Sequence, residues 1–246
     1  MMRAMPPSWA DLSLRRQVME RTARELTRRL CGRDFTASFR FLSRDDAPAL
    51  HELSVRATRS TPAFGAVLSL DERQMDRYWR ALGDTLLADQ ESFVVALVDG
   101  AHLLSVASLG SPAFPGAGNA ICLLWHLLGG IGPAGLFRYL RAIHDYERLL
   151  SLPGHESAST IRLIWLYADP DERGRGAGTR MCTFLVELCH DLGFARIQGA
   201  VDAADVRLNR FYERLGARHG RRSRMSGIEV VETIRLLTEG TGVGPG

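Results

Sequence analysis

The chain contains no lysine; all 31 of its basic side chains are arginine. That excludes a Walker-type phosphate loop, which needs a Gly-Lys pair, and any Schiff base on a lysine amine. Cysteine is sparse. Cys31, Cys122, Cys182 and Cys189 form no CxxC pair and lie in apolar or helix-like segments. Buried free thiols in a reducing compartment are expected, with no disulfide framework and no metal site. No sign of charge dominates: 28 acidic groups face the 31 basic ones, leaving +3, too mild for a nucleic-acid partner. The opening stretch, MMRAMPPSWADLSLRRQ, lacks the apolar core of a signal peptide. The most apolar run, 120–128, is too short to cross a bilayer. A cytoplasmic protein without a nucleic-acid or membrane partner is expected.

What is present is an ordinary globular composition, 46% hydrophobic and 24% charged over 246 residues, enough for one large domain with a real core. Residues 10–30 carry Leu12, Met19, Ala23, Leu26 and Leu30 on one helical face, with Glu20–Arg24 and Glu25–Arg29 at i,i+4. Residues 36–42 read as a strand. Ser43-Arg44-Asp45-Asp46 opens a helix with Pro48 early in it. Ser69-Leu70-Asp71-Glu72 reads as a capping box for a helix to about Leu87. Strands at 92–98 and 101–108 flank the hairpin turn Asp99-Gly100.

Residues 111–160 read as an insertion. A Pro/Gly-rich opening leads to helical pieces near 119–129 and 133–150, then the polar loop GHESAST. Its apolar side chains need covering, by a pocket they roof, by the core, or by a second copy in a homodimer. A strand at 161–168, a helix at 178–192, a strand at 195–201, a helix at 205–215 and a strand at 227–237 complete the chain. The expected organisation is an N-terminal helical extension (1–35), one domain (36–240) and a flexible tail (241–246). The expected fold class is α/β (α+β), a central twisted mixed sheet flanked by helices.

One stretch, DPDERGRGAGTR (169–180), joins an apolar strand to a helix and holds Gly174, Gly176 and Gly178 at alternate positions. A helix N-terminus leaves N–H groups unpaired and carries partial positive charge, so it suits an anion, phosphate above all. The glycines let the backbone approach such a group. A dinucleotide fingerprint does not fit, because its last glycine interval is wrong here.

The spacing Arg-x-x-Gly-x-Gly, met by Arg173, Gly176 and Gly178, resembles motif A of the GCN5-related N-acetyltransferase (GNAT) superfamily. The stretch NRFYERLGA (209–217) resembles that family's second signature, with Ala217 in place of the usual aromatic residue. FRFLSRDDAPALHEL resembles its first strand and helix. The resemblance covers roughly 36–110 and 160–238.

It implies an acyl-CoA-dependent N-acyltransferase with acetyl-CoA or another acyl-CoA as co-substrate and a small-molecule or peptide amine as acceptor. It implies that Arg173, Gly174, Arg175, Gly176, Ala177, Gly178 and Thr179 hold the pyrophosphate. It sets Leu166, Tyr167 and Ala168 beside the pantetheine and thioester, with Asn209 among the cofactor contacts. Tyr212 is implied as general acid, since a phenol can protonate a thiolate.

The glutamate base common in the family would fall near Arg162, which accepts no proton. Glu156 is the residue assigned here as base, with His155, Asp169 and a water chain left open. Arg162 is a candidate for holding a carboxylate on the acceptor. Two further readings remain: a longer-chain acyltransferase served by acyl-CoA or a carrier protein, and a CoA-binding module without turnover. Without lysine, any self-acetylation must fall on the α-amine or another side-chain type.

Overall fold

The computed structural model describes residues 12–31, 36–60, 68–112, 114–151, 159–172, 174–225 and 227–237. Among these lie six α-helices and seven strands. In chain order they are α1 (Leu12–Cys31), β1 (Ala37–Phe41), α2 (Ala47–Ser60), α3 (Glu72–Ala88), β2 (Ser92–Asp99), β3 (His102–Gly110), α4 (Ala117–Leu150), β4 (Thr160–Ala168), α5 (Ala177–Asp191), β5 (Arg196–Asp202), α6 (Val206–Arg214), β6 (Arg218–Met225) and β7 (Ile228–Leu236). The strands form one sheet in the order β1-β2-β3-β4-β5-β7-β6. Every neighbouring pair is antiparallel except β4–β5. The chain is therefore a mixed α/β fold, as its pattern of elements predicts.

Each face of the sheet has its own core. On one, Met19, Ala23 and Leu26 of α1 and Met181, Phe184, Leu185 and Leu188 of α5 cover Phe39, Val95, Leu97 and Ala107. Phe39 stacks on Phe184 with ring centroids 4.2 Å apart. The N-terminal helix thus joins the main core, and Arg29 pairs with Glu187 of α5, where the sequence predicts Glu25. On the other face α2, α3 and α4 bury Leu50, Leu53, Trp79, Leu82, Leu123, Leu127 and Tyr139 against Val94, Ala96 and Val106.

Three local readings need correction. The cap of α3 is Asp71, which accepts from the Gln74 N–H at 2.8 Å while Gln74 Oε1 accepts from the Asp71 N–H; Ser69 and Glu72 do not make the box. Strand β6 has no counterpart in the sequence reading. Cys122 is exposed, with His126 Nδ1 3.7 Å away, while Cys31, Cys182 and Cys189 are buried as expected.

The segment read as an insertion supplies one long helix, α4, broken at Gly132, whose φ of 73° precedes Pro133. Leu123, Leu127, Tyr139 and Leu150 face inward. Ile121, Trp125 (74% exposed), Phe137 and Leu140 face outward. By length and composition alone, α4 is also the one helix among the described residues apolar enough to cross a membrane.

Candidate active site

Strands β4 and β5 pair only at Thr160↔Arg196, Ile161↔Ile197 and Arg162↔Gln198. Beyond Arg162 the strands part, so the β5-facing edge of β4 forms no ladder over its last six residues. On its other edge β4 stays paired with β3, with a register shift between Trp165 and Leu163. The extra residue, Ile164, breaks the period of two. Ile164 and Trp165 both join the α2–α4 core, while Leu163 and Leu166 join the α1/α5 core. A bulge re-aims side chains in this way.

The gap opens a cavity of about 380 Å³ that passes through the sheet. On one side it is lined by Cys182 and Val186 of α5 and Leu208 and Tyr212 of α6. On the other it is lined by Tyr78, Trp79 and Leu82 of α3 and by Tyr139, Ala142, Ile143 and Tyr146 of α4. A volume of this size is typical of a small-ligand site.

The glycine loop stands at one end of the gap. It starts at Asp169, which is fully buried. The Asp169 carboxylate meets Arg56 Nη2 at 2.9 Å and accepts from the Asp171 N–H at 3.1 Å, with His102 Nε2 at 3.6 Å. It therefore anchors the loop to α2, and is not free to serve as the base. Removing Arg56 leaves that carboxylate buried without its cation. Arg56→Ala is expected to cost about 2 kcal/mol in urea unfolding, since Arg56 is itself partly solvated.

Gly174 and Gly176 take φ of 82° and 81°, a left-handed conformation that side chains resist. This turn sets the entry into α5, whose first internal bond is Arg180 N–H to Gly176 O at 2.9 Å. The N–H groups of Ala177, Gly178 and Thr179 lie before that bond, at the positive end of the helix dipole. A Cβ on Gly178 would sit 3.8 Å from Phe211 Cζ and 4.0 Å from Ala168 Cβ, which ties together the ends of β4, α5 and α6. Arg175 is exposed and pairs with Glu172 at 3.0 Å. Arg173 lies outside the described residues, as do Glu156 and His155.

Tyr212 of α6 lines the cavity with its hydroxyl hydrogen-bonded to no described residue. Burial pushes its phenol well above the usual value, and the neighbouring Cys182 adds to the shift. Burial also pushes the Cys182 thiol up to about 12, so it is no nucleophile. Asn209 donates to the carbonyls of Asp202 (2.9 Å) and Asp205 (2.7 Å), bracing the start of α6. Its Oδ1 is buried without a partner.

Leu166 lines the cavity, Tyr167 turns into the α2–α4 core, and Ala168 abuts Gly178. Arg162 goes elsewhere. It is buried and bonds Glu147 of α4 at 2.6 Å, holding that helix to the sheet, and it does not line the cavity. The aromatic wall of Tyr78, Trp79, Tyr139 and Tyr146 is not legible in the sequence; of the covers open to residues 111–160, α4 shows two, packing into the core and lining this pocket.

Residues 130–217 match the family model described as the acetyltransferase (GNAT) family. The match begins inside α4, within the segment read from sequence as lying outside the resemblance. No curated protein matches the chain. Solved structures of the same fold include an N-acetyltransferase from Staphylococcus aureus, 14% identical, covering 82% of this chain and 99% of that one, with a TM-score of 0.53. An acetyltransferase from Thermus thermophilus is 15% identical, with 82% and 97% covered and a TM-score of 0.53. The PaiA N-acetyltransferase from Thermoplasma acidophilum, in complex with coenzyme A, is 12% identical, with 80% and 97% covered and a TM-score of 0.51.

Proposed function

From the premise that the chain carries a GNAT-family acetyltransferase domain, we propose that it moves an acetyl group from acetyl-CoA to a primary amine by direct attack. The observation that carries this reading is the early end of β4–β5 pairing. It leaves a slot with the N-terminus of α5 at one end and, in its wall, the Tyr212 phenol, bonded to no described residue. The neighbour from Thermoplasma acidophilum was solved with coenzyme A, which supports the same co-substrate here.

In this reading the pyrophosphate lies on the N–H groups of Ala177, Gly178 and Thr179. The pantetheine runs along the edge of β4 at Leu166–Ala168, the stretch that β5 does not pair. Asn209 Oδ1 accepts an amide N–H. The amine nitrogen attacks the thioester carbonyl carbon, the C–N bond forms, and the C–S bond breaks. Tyr212 gives its proton to the departing thiolate, and the proton shed by the new amide nitrogen returns through water. Desolvation raises the basicity of thiolate and phenolate alike, so the transfer stays matched within the cavity. The two described carboxylates that line the cavity, Asp202 and Asp205, accept from the Ala204 and Leu208 N–H groups, and an amine that arrives neutral needs no base.

The test is amine-dependent release of CoA thiol from acetyl-CoA by the purified chain. Release that requires both protein and amine, with one amide formed per thiol, is expected. A protein that binds CoA but releases no thiol with any amine is the binding module, and the enzyme reading then fails.

A further inference from the structure

The α3/α4 side of the cavity has a chemistry of its own. Tyr78 and Tyr139 are 5% and 7% exposed, both line the cavity, and neither hydroxyl is hydrogen-bonded to any described residue. Trp165 Nε1 is buried and likewise unpartnered. The other two polar groups of the wall are committed: Trp79 Nε1 donates to Thr58 Oγ1 at 2.6 Å and Tyr146 donates to the Leu163 carbonyl at 3.4 Å. Three donors without a described partner therefore border this side of the cavity, and of these Trp165 Nε1 is fully buried. A buried donor left unpaired is costly, so this side suits a guest that accepts hydrogen bonds.

Among the described residues, the charged side chains that line the cavity are Asp202, Asp205 and Arg235, from β5, the cap of α6 and β7. No acidic, arginine or histidine side chain lines it from α3, α4 or the bulge of β4. The two lining carboxylates, Asp202 and Asp205, stand at the end of β5 and the cap of α6. There they accept from the Ala204 and Leu208 N–H groups. An ammonium entering between Tyr78, Trp79, Tyr139 and Trp165 would shed its water with no carboxylate lining the cavity from the described residues of α3, α4 or β4 to hold it or take its proton. Aromatic faces attract a cation, but a protonated amine has no lone pair for the attack.

Resting on the acetyltransferase reading above, we propose that the acceptor is a weakly basic aromatic amine, neutral at physiological pH, whose ring sits among Tyr78, Trp79, Tyr139 and Trp165. A neutral oxygen or nitrogen on that ring accepts from the Tyr78 and Tyr139 phenols. This accounts for the arginine at 162, paired with Glu147, in the place where a base is expected. The guest brings no proton that must be removed before attack.

The experiment has two arms on the full chain. The first follows quenching of tryptophan fluorescence by 4-methoxyaniline, which needs no CoA. The second measures acetyl transfer to 4-methoxyaniline, 4-methylaniline, benzylamine, spermidine and an alanine-initiated tripeptide. Saturable quenching is expected, with kcat/KM for 4-methoxyaniline at least about tenfold above benzylamine and a rate flat from pH 7 to 9. Tyr139→Phe keeps the ring and removes one donor. It should raise KM for 4-methoxyaniline about three- to tenfold while leaving the values for 4-methylaniline and acetyl-CoA in place.

Preference for spermidine or the tripeptide, or a rate that climbs with pH as an ammonium loses its proton, overturns the proposal. So does octanoyl-CoA displacing bound 4-methoxyaniline and outpacing acetyl-CoA, because the chamber then holds an acyl chain. Saturable quenching without transfer to any amine sinks the enzyme reading and this proposal with it. Transfer to other amines without quenching overturns this proposal alone.

Discussion

Tyr212→Phe is expected to lower kcat by about a hundredfold or more, the usual worth of a placed proton donor, with KM for acetyl-CoA little changed. The ring keeps its packing against Phe211, whose centroid lies 5.3 Å away. The lost hydroxyl bonds no described residue, so the melting temperature should hold or rise. The pH profile supplies a second reading. The folded phenol titrates well above its ordinary value through burial beside Cys182. It is therefore protonated at every pH below about 10, the unfolded value for a tyrosine. The stability that comes from keeping it neutral is present throughout that range and fades only as pH rises through the raised folded value. The wild-type rate should accordingly show no alkaline limb from Tyr212 up to pH 9. An alkaline limb that vanishes in the phenylalanine variant would contradict this.

Gly178→Ala is expected to weaken acetyl-CoA binding by about tenfold or more, ~1.4 kcal/mol, without loss of stability. Gly178 is the second residue of α5, and side chains at a helix start lean toward its N-terminus, where the pyrophosphate sits in our reading. The added methyl would meet Phe211 and Ala168 only at ordinary contact distances, and alanine favours a helix over glycine. Affinity should fall while thermal stability holds. Gly176→Ala is the contrast. At φ of 81° it strains the turn itself, so both quantities should drop. If Gly178→Ala binds acetyl-CoA like wild type, the pyrophosphate does not lie where we place it.

The helices, most strands and the glycine loop were legible because each is a local signal: apolar spacing, a cap, a turn dipeptide. Strand β6 was not. Its sequence, RHGRRSRM, is an outer strand whose side chains mostly face solvent, so no alternation of apolar and polar residues marks it. The cap of α3 slipped by two positions because Ser69 and Asp71 both offer the right oxygen, and only geometry selects between them.

The loop's contacts were legible as a pattern, but its anchor was not. Asp169 reads as another loop acid until Arg56, 113 positions away, is brought to it. The aromatic chamber was the least visible. It needs α3 and the kinked α4 to converge, and it needs the bulge at Ile164 to put two consecutive residues of β4 on one face. Neither a period of two nor one of 3.6 can announce that.

The most direct measurement is a calorimetric titration of acetyl-CoA into the purified wild-type chain, repeated with Gly178→Ala. The account predicts saturable binding at one site per chain, competed by CoA and weakened by the glycine substitution. Heat that never saturates, or a binding curve on which Gly178→Ala leaves no mark, would contradict it.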